Sequence, residues 1–306
     1  MLAFLARRLA AMCGVLFCVL TLTFLLLRLS PGGPFTRERK LPAVIERQLL
    51  AKYRLDGPLW QQYVDYLADV ARGDLRLSTK YRDRPVRELL AQSLPVSALL
   101  GGSAFVLAVS AGVWLGSIAA IRRGTLADTG SMFLALGLIS VPTFVTGPVL
   151  VLLFALHFGW LPAGGWGSPA SLLLPALALA GPATASIARL TRTSLLETLE
   201  APFLRTARAK GVSEARVLYF HALKIALLPV VSYLGPLAAN LLTGSIVVES
   251  IFNLPGTGSF FVNAILNRDV FLLGGVVLVY CVLLVGMNLL VDLAYSWLDP
   301  RIRLEN

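Results

Sequence analysis

VSALLGGSAFVLAVSAGVWLGSIAAI, residues 96–121, contains no charged side chain and ends against Arg122 and Arg123. A helix rises about 1.5 Å per residue, so roughly 20 apolar residues cross the hydrocarbon core of a bilayer. The run therefore predicts a membrane-spanning helix stopped by a basic pair. Working outward from it, the same criterion picks out five more spans. They lie at about Leu9 to Leu29, Ser131 to Phe158, Ser171 to Leu190, Ile225 to Val248 and Phe271 to Ala294. The prediction is an all-α membrane protein with six transmembrane helices.

Composition agrees with that class and excludes others. Apolar residues make up 57% of the 306 and charged residues only 14%, against roughly 45–50% and about 25% in soluble domains. Mean hydropathy is +0.75. Scarce charge and abundant bulky apolar residues argue against disorder. Cys13, Cys18 and Cys281 all lie in apolar runs, which disfavours a disulfide framework or a cysteine-rich metal site. His157 and His221 are the only histidines, so no metal centre or other bound cofactor is expected. The first span follows Arg7 and Arg8 as a signal peptide would. Its apolar stretch is too long, though, and Leu29-Ser30-Pro31-Gly32-Gly33-Pro34 offers no cleavage site of the A-x-A kind, so it is expected to remain as a helix.

The net charge of +10 is read through topology, because basic residues hold short loops on the cytoplasmic side. With both termini cytoplasmic, Arg7, Arg8, Arg122, Arg123, the basic residues from Arg189 to Lys224, Arg301 and Arg303 all fall inside. The short loops 159–170 and 249–270 then hold only Arg268. Residues 31–95 form the one long outer segment, and segments longer than about 60 residues largely escape the rule. The chain thus divides into 1–30, the first helix; 31–95, an extracytoplasmic helical cap; and 96–306, a five-helix core with a cytoplasmic loop at about 191–224. In the cap, Leu41 to Arg54 is amphipathic. Asp56-Gly57-Pro58 turns into a second helix whose Trp60, Tyr63, Tyr66 and Leu67 share a face, Gly73-Asp74 closes it, and Arg84-Pro85 opens the helix leading into the second span.

Polar groups inside spans are costly and invite a functional reading. Arg28 and Glu249 lie near outer ends and are expected to reach the interface, while Asp292 lies near an inner end. Asn240 and Asn288 are deeper, placed either to bond neighbouring helices or to line a path. Val141-Pro142-Thr143 and Gly181-Pro182 are expected to kink the third and fourth spans.

The longest loop, Thr191 to Lys224, reads TRTSLLETLEAPFLRTARAKGVSEARVLYFHALK. Pro202 suits the first turn of a helix that runs from Phe203 to Lys210, and Gly211 suits its left-handed end. Ser213 is placed as the N-cap of a second helix, with Glu214 favourable to its dipole. Between them Arg205, Arg208, Lys210 and Arg216 surround the small residues Ala207, Ala209 and Ala215, as if a partner came close. Two short basic helices also occur in DNA-binding proteins. This pair is enclosed between membrane spans, so no nucleic acid partner is expected. Basic residues that only enforce topology would account for the charges but not for the Pro, Gly, Ser and Ala placement.

That loop resembles the EAA loop of the membrane subunits of bacterial binding-protein-dependent ABC importers. Its pattern there is E-A-A, three residues, G, nine residues, I-x-L-P. Here Arg205-Thr206-Ala207 stands in the E-A-A place, Gly211 in the glycine place and His221-Ala222-Leu223-Lys224 in the last, with the glutamate and final proline absent. A proline follows at Pro229, as in the peptide-importing branch. The resemblance covers the whole chain and is closest to B-type subunits of the oligopeptide branch. It is carried by RLSPGGPFTRERKLP (28–42), GDLRLSTKYRDRPV (73–86), ALLPVVSYLGPL (226–237), GSIVVESIFNLPGTG (244–258) and Asp299-Pro300-Arg301-Ile302-Arg303.

The resemblance implies a type I ABC importer permease fold in the bacterial inner membrane. It also implies a homologous second permease, two ATPase subunits that carry the ATP and magnesium, and an extracytoplasmic binding protein that delivers peptide. Phe203, Arg205, Thr206, Ala207, Arg208, Ala209, Lys210, Gly211, Ser213 and Glu214 would then be the coupling site, with Gly211 as pivot and Asn240 and Asn288 on the substrate path. The sequence itself agrees that this chain is not the ATPase. No G-x-x-x-x-G-K-[ST] loop occurs in it, and Asn253-Leu254-Pro255-Gly256-Thr257-Gly258 lacks the lysine. Within the same family, dipeptides, nickel chelates or glutathione are alternative cargoes. An ion-coupled carrier would call for two related halves and intramembrane acids. A membrane hydrolase would need a base near Ser140, Ser186 or Ser232.

Overall fold

The computed structural model describes residues 2–29, 43–81, 83–243 and 245–298. The segments at 31–42 and 299–303 that carry part of the family-like sequence lie outside these residues, as do the side chains of Arg28 and Asp292. Along the chain come α1 (Leu2–Leu29), α2 (Ala43–Lys52), α3 (Leu59–Ala71), α4 (Val86–Ile121), α5 (Leu126–Ser140) and α6 (Thr143–Leu150), which continues as a π-helical segment, Val151–His157. A 3₁₀ turn, Pro169–Leu172, leads into α7 (Leu173–Leu199). Then follow α8 (Pro202–Ala209), α9 (Glu214–Arg216), a second π-helical segment (Val217–Ala222) and α10 (Leu223–Ala226). The last elements are α11 (Leu228–Thr243), α12 (Ile246–Ile251), α13 (Thr257–Leu266) and α14 (Val270–Leu298). Among the described residues no strand forms beyond an isolated bridge between Leu77 and Pro85.

Among the described residues five stretches are long and apolar enough to cross a membrane: Ala6–Leu26, Val86–Ile121, Pro169–Leu199, Leu228–Ile251 and Val270–Leu290. A sixth arises if α5 and α6 with its π-helical extension count as one span, though the two arms meet at 106°. The expected kink at Pro142 is thus a full break. Pro142 has no N–H to continue the ladder and holds an extended backbone as the N-cap of α6, so neither helix propagates through it. Pro182, by contrast, lies inside an α7 that runs on without ending.

The chain gathers into two compact units, one mainly from residues 1–97 and 255–285, the other mainly from 98–254 and 286–305. In the first, Tyr53, Leu55, Val86, Leu89, Leu90, Phe271, Leu272 and Val276 form one buried cluster, and Leu20, Phe24 and Tyr66 another. Arg76 donates through Nε to Asp69 Oδ2 at 2.7 Å while its guanidinium lies 5.2 Å from the Phe271 ring centroid. Asp269 is wholly buried. It accepts from Ser78 Oγ and from the Leu272 amide, capping the start of α14. Tyr66 fits only because residue 274 is glycine, since a Cβ there would stand 2.7 Å from its hydroxyl. The face predicted for α3 splits: Tyr66 is buried and Tyr63 half-buried, but Trp60 is 69% exposed, turned to the flank of the helix.

In the second unit α7 is the centre, burying Leu174, Ala178, Leu179, Ala183, Thr184, Ile187, Ala188 and Leu195. Its contact with α4 is made through glycine. A Cβ on Gly112 would lie 2.7 Å from Ile187, and one on Gly116 2.4 Å from the Ala188 carbonyl oxygen. Helices in lipid associate by close packing of small residues in this way. The loop after α6 is stapled to the end of α12, where the Gly165 amide donates to the Phe252 carbonyl at 2.8 Å.

Candidate functional site

The loop predicted as the site folds into a knob on its own small core. Pro202 occupies the first turn of α8, where no N–H is needed. The helix has one strongly apolar position facing inward, Leu204, which is wholly buried with Leu195, Val217, Ala222, Ala226 and Ala120. The knob is therefore seated on the ends of α7 and α4. At its other end Lys210 and Gly211 stop the helix, with Gly211 at φ +77°. The Gly211 and Val212 amides return to the Arg208 and Ala207 carbonyls at 2.9 and 3.2 Å. A side chain there would meet no neighbour, so the preference for glycine is conformational.

Of the ten predicted residues, Phe203, Arg205, Thr206, Arg208, Ala209, Lys210, Gly211, Ser213 and Glu214 are exposed, and Ala207 is half-buried against the core. The structure thus leaves nine of the ten exposed on the knob, with Ala209 and Ala215 as the small exposed positions and Ala207 turned inward. Three details differ from expectation. Ser213 takes the N-cap position of α9 but its side chain makes no capping bond. Glu214 instead accepts from Arg208 Nε at 2.9 Å, tying the two helices across the turn. The second helix is one α-helical turn followed by π-helical backbone, which lets Val217 and Ala222, five residues apart, both face the core. Leu204 and Val217 share that core on either side of Gly211, so the two flanks are clamped together and Gly211 is a turn rather than a free pivot.

Sequence reasoning missed the ties beneath the knob. Asp128, at the start of α5, receives Arg192 Nε and Nη2 from α7 at 2.7 and 2.8 Å, and the Gly124 amide at 3.0 Å. Arg123 donates to Glu200 Oε1 at 3.1 Å. A bidentate fork of this kind fixes orientation as well as distance. With the partners 64 positions apart in sequence, only the acidic residue in the first turn of a span and the Arg in the last turns of another could have signalled it.

Elsewhere, Glu249 does not reach an interface as expected. It is wholly buried, with Ser245 Oγ donating to Oε1. Ser140, Ser186 and Ser232 each donate to the carbonyl four residues back, at 2.7, 3.1 and 3.1 Å. Among the described residues no group of three or more His, Cys, Asp or Glu is placed to hold a metal. A hollow of about 850 Å³ lies between α4 and the 166–176 segment, lined by Leu99, Val106, Leu107, Trp166, Leu172 and Leu173. None of the predicted site residues lines it. Asn240 is exposed on α11 and Asn288 half-buried on α14, and no hydrogen bond joins them.

Residues 112–304 match the family described as the inner membrane component of binding-protein-dependent transport systems. The chain belongs to that family. Its relatives match over their whole length. The oligopeptide transport system permease proteins OppB of Salmonella typhimurium and Escherichia coli are 46% identical over 305 residues, covering 99% of this chain and 100% of theirs. The dipeptide transport system permease protein DppB of Bacillus subtilis is 43% identical over 305 residues, covering 100% of this chain and 99% of its own. A crystal structure of an amino acid ABC transporter with histidines aligns with a TM-score of 0.54 at 16% identity, over 69% of this chain and 94% of that one. That likeness shows a shared permease fold. The chain is accordingly an ABC importer permease subunit.

Proposed function

We propose that this chain is one of two permease subunits of an ATP-driven importer in the bacterial inner membrane, passing oligopeptides handed over by an extracytoplasmic binding protein. The observation that carries this is the full-length match, at 45–46% identity, to permeases named for oligopeptide transport. Dipeptides are the second reading, favoured by the 43% identity to a permease named for dipeptide transport.

In this account both termini and the 191–224 loop are cytoplasmic, residues 31–95 form an outer cap, and ATP and magnesium reside on two partner ATPases. Phe203, Arg205, Thr206, Ala207, Arg208, Ala209, Lys210, Gly211, Ser213 and Glu214 present the surface that an ATPase grips. The supporting physics is mechanical. A knob whose two helices share Leu204 and Val217 in one core, and whose seat is braced by Asp128 and Arg192, transmits a push to α7 and α4 as a rigid body. A flexible loop would absorb it.

The test is to isolate the chain from membranes in mild detergent, identify what accompanies it by mass spectrometry, and measure ATP hydrolysis with and without peptide. A second six-span permease with P-loop ATPases, and hydrolysis raised by peptide and binding protein, is the expected result. A chain that comes out alone, or a complex indifferent to peptides and responsive to another solute, would overturn it.

A further inference from the structure

On α11 the exposed positions keep to one narrow stripe, and the rest of the circumference is buried or half-buried. Val230, Gly235, Leu237, Ala239 and Leu241 are buried, while Pro229, Ser232, Pro236 and Asn240 are exposed at spacings of three, four and four. That spacing draws one stripe along the helix. Its chemistry is wrong for lipid. Pro236 has no N–H, so the Ser232 carbonyl, which projects along the stripe towards residue 236, lacks its helical donor. The Ser232 hydroxyl gives its proton to the Leu228 carbonyl at 3.1 Å. It therefore offers only lone pairs outward. Asn240 adds an amide at the far end. In hydrocarbon every backbone polar group must be satisfied internally, and irregular or unpaired backbone is tolerated only where it is buried in protein or faces water. The backbone of a neighbouring helix would not supply what is missing, because its own N–H groups are spent on its own carbonyls, which leaves water, a side-chain donor or a passing solute to do so.

We infer that the α11 stripe of Ser232, Pro236 and Asn240 lines the water-filled path and that its acceptors, the Ser232 carbonyl above all, receive backbone N–H groups of the passing peptide. The inference rests on the peptide-importer reading and deepens it. An acceptor supplied by backbone reads what all peptides share and ignores side chains. The hollow beside α4 is lined by apolar side chains apart from Ser103 and Ser168.

The experiment uses the complete transporter, co-expressed with its partner subunits and reconstituted with its binding protein. Uptake of a short peptide is compared with uptake of the same peptide carrying N-methylated backbone amides, for the wild type and for Pro236→Ala. Alanine restores the helical N–H to the Ser232 carbonyl. The wild type is expected to prefer the unmethylated peptide, and Pro236→Ala to lose about tenfold of that preference, the worth of roughly one hydrogen bond. Comparing two forms of one permease removes any selectivity of the binding protein. In parallel, Ser232→Cys, in a chain whose native cysteines are replaced by serine, is probed with membrane-impermeant and with lipid-soluble thiol reagents. Labelling by the impermeant reagent, slowed by peptide, is the expected result. If uptake persists but the preference is the same in both forms, or if position 232 reacts only with the lipid-soluble reagent or cross-links only to the second permease, the inference falls and the importer stands. A wild-type complex that moves neither peptide sinks both.

Discussion

The first span and α7 make opposite use of apolarity. Ala6–Leu26 is much the more apolar, yet only 12% of its most apolar stretch is buried in the protein, while Pro169–Leu199, the less apolar, is 67% buried. Phe17, Leu22 and Leu26 stand exposed on α1, whereas α7 buries a run of Ala, Gly and Thr. In water the order would be reversed. In a bilayer, large apolar side chains gain nothing by leaving lipid tails, so helices meet where small residues let backbones approach. Apolarity marks the lipid face and smallness the interior.

The comparison is broken most directly at its glycines. Gly116→Leu on α4 places a side chain where a Cβ already stands 2.4 Å from the Ala188 carbonyl. Its cost is about 3 kcal/mol or more, enough to remove folded protein from the membrane fraction. Gly14→Leu on α1, where nothing lies within 4 Å, is expected to leave the detergent-solubilised melting temperature nearly unchanged. Equal losses in the two variants would mean that α1 is packed as tightly as α7.

Next in size is Asp128→Asn. Breaking a fully buried ion pair costs about 3–5 kcal/mol. Since the Arg192 side chain is 29% exposed, about 2 kcal/mol is expected here, seen as a lower melting temperature that Arg192→Gln in the same chain does not lower further. Additive losses would show that the two residues act apart.

Gly211→Asp follows, at about 1 kcal/mol for a left-handed backbone on a non-glycine residue. Protein should reach the membrane at normal levels while ATP hydrolysis loses its dependence on peptide. Normal uptake with that variant would sink the coupling role. Phe203→Ala is the smallest in stability, within about 0.5 kcal/mol because the ring is 42% exposed. Uptake should still fall severalfold if the ring seats in a partner.

Much of this was legible beforehand because the signals are local. Charge-free runs marked the spans, Pro85 marked the start of the helix that becomes α4, and Pro202 with Gly211 marked the two ends of α8 to within one residue. What escaped depends on distance or degree. A proline announces a lost N–H but not whether a helix kinks and continues, as the sequence suggested at Pro142, or breaks through 106°. The pairing of Asp128 with Arg192 needs the packing of α5 on α7, which no local pattern encodes. Glu249 looked like an interfacial acid from its place near a span end, and only the fold shows it enclosed and bonded to Ser245. In α11 every residue of the stripe was in view, but its single exposed face emerges only when the rest of the circumference is seen covered.

The central claim is that the knob, and not the apolar shell of the spans, meets an ATPase. It is tested most directly by a photo-activatable residue placed at Phe203 or at Leu22 in the assembled transporter, with the adducts identified after irradiation. The account predicts an adduct with a P-loop ATPase from position 203, and none with any ATPase from position 22. Absence of an ATPase adduct at 203 in a complex that still hydrolyses ATP in response to peptide would contradict it.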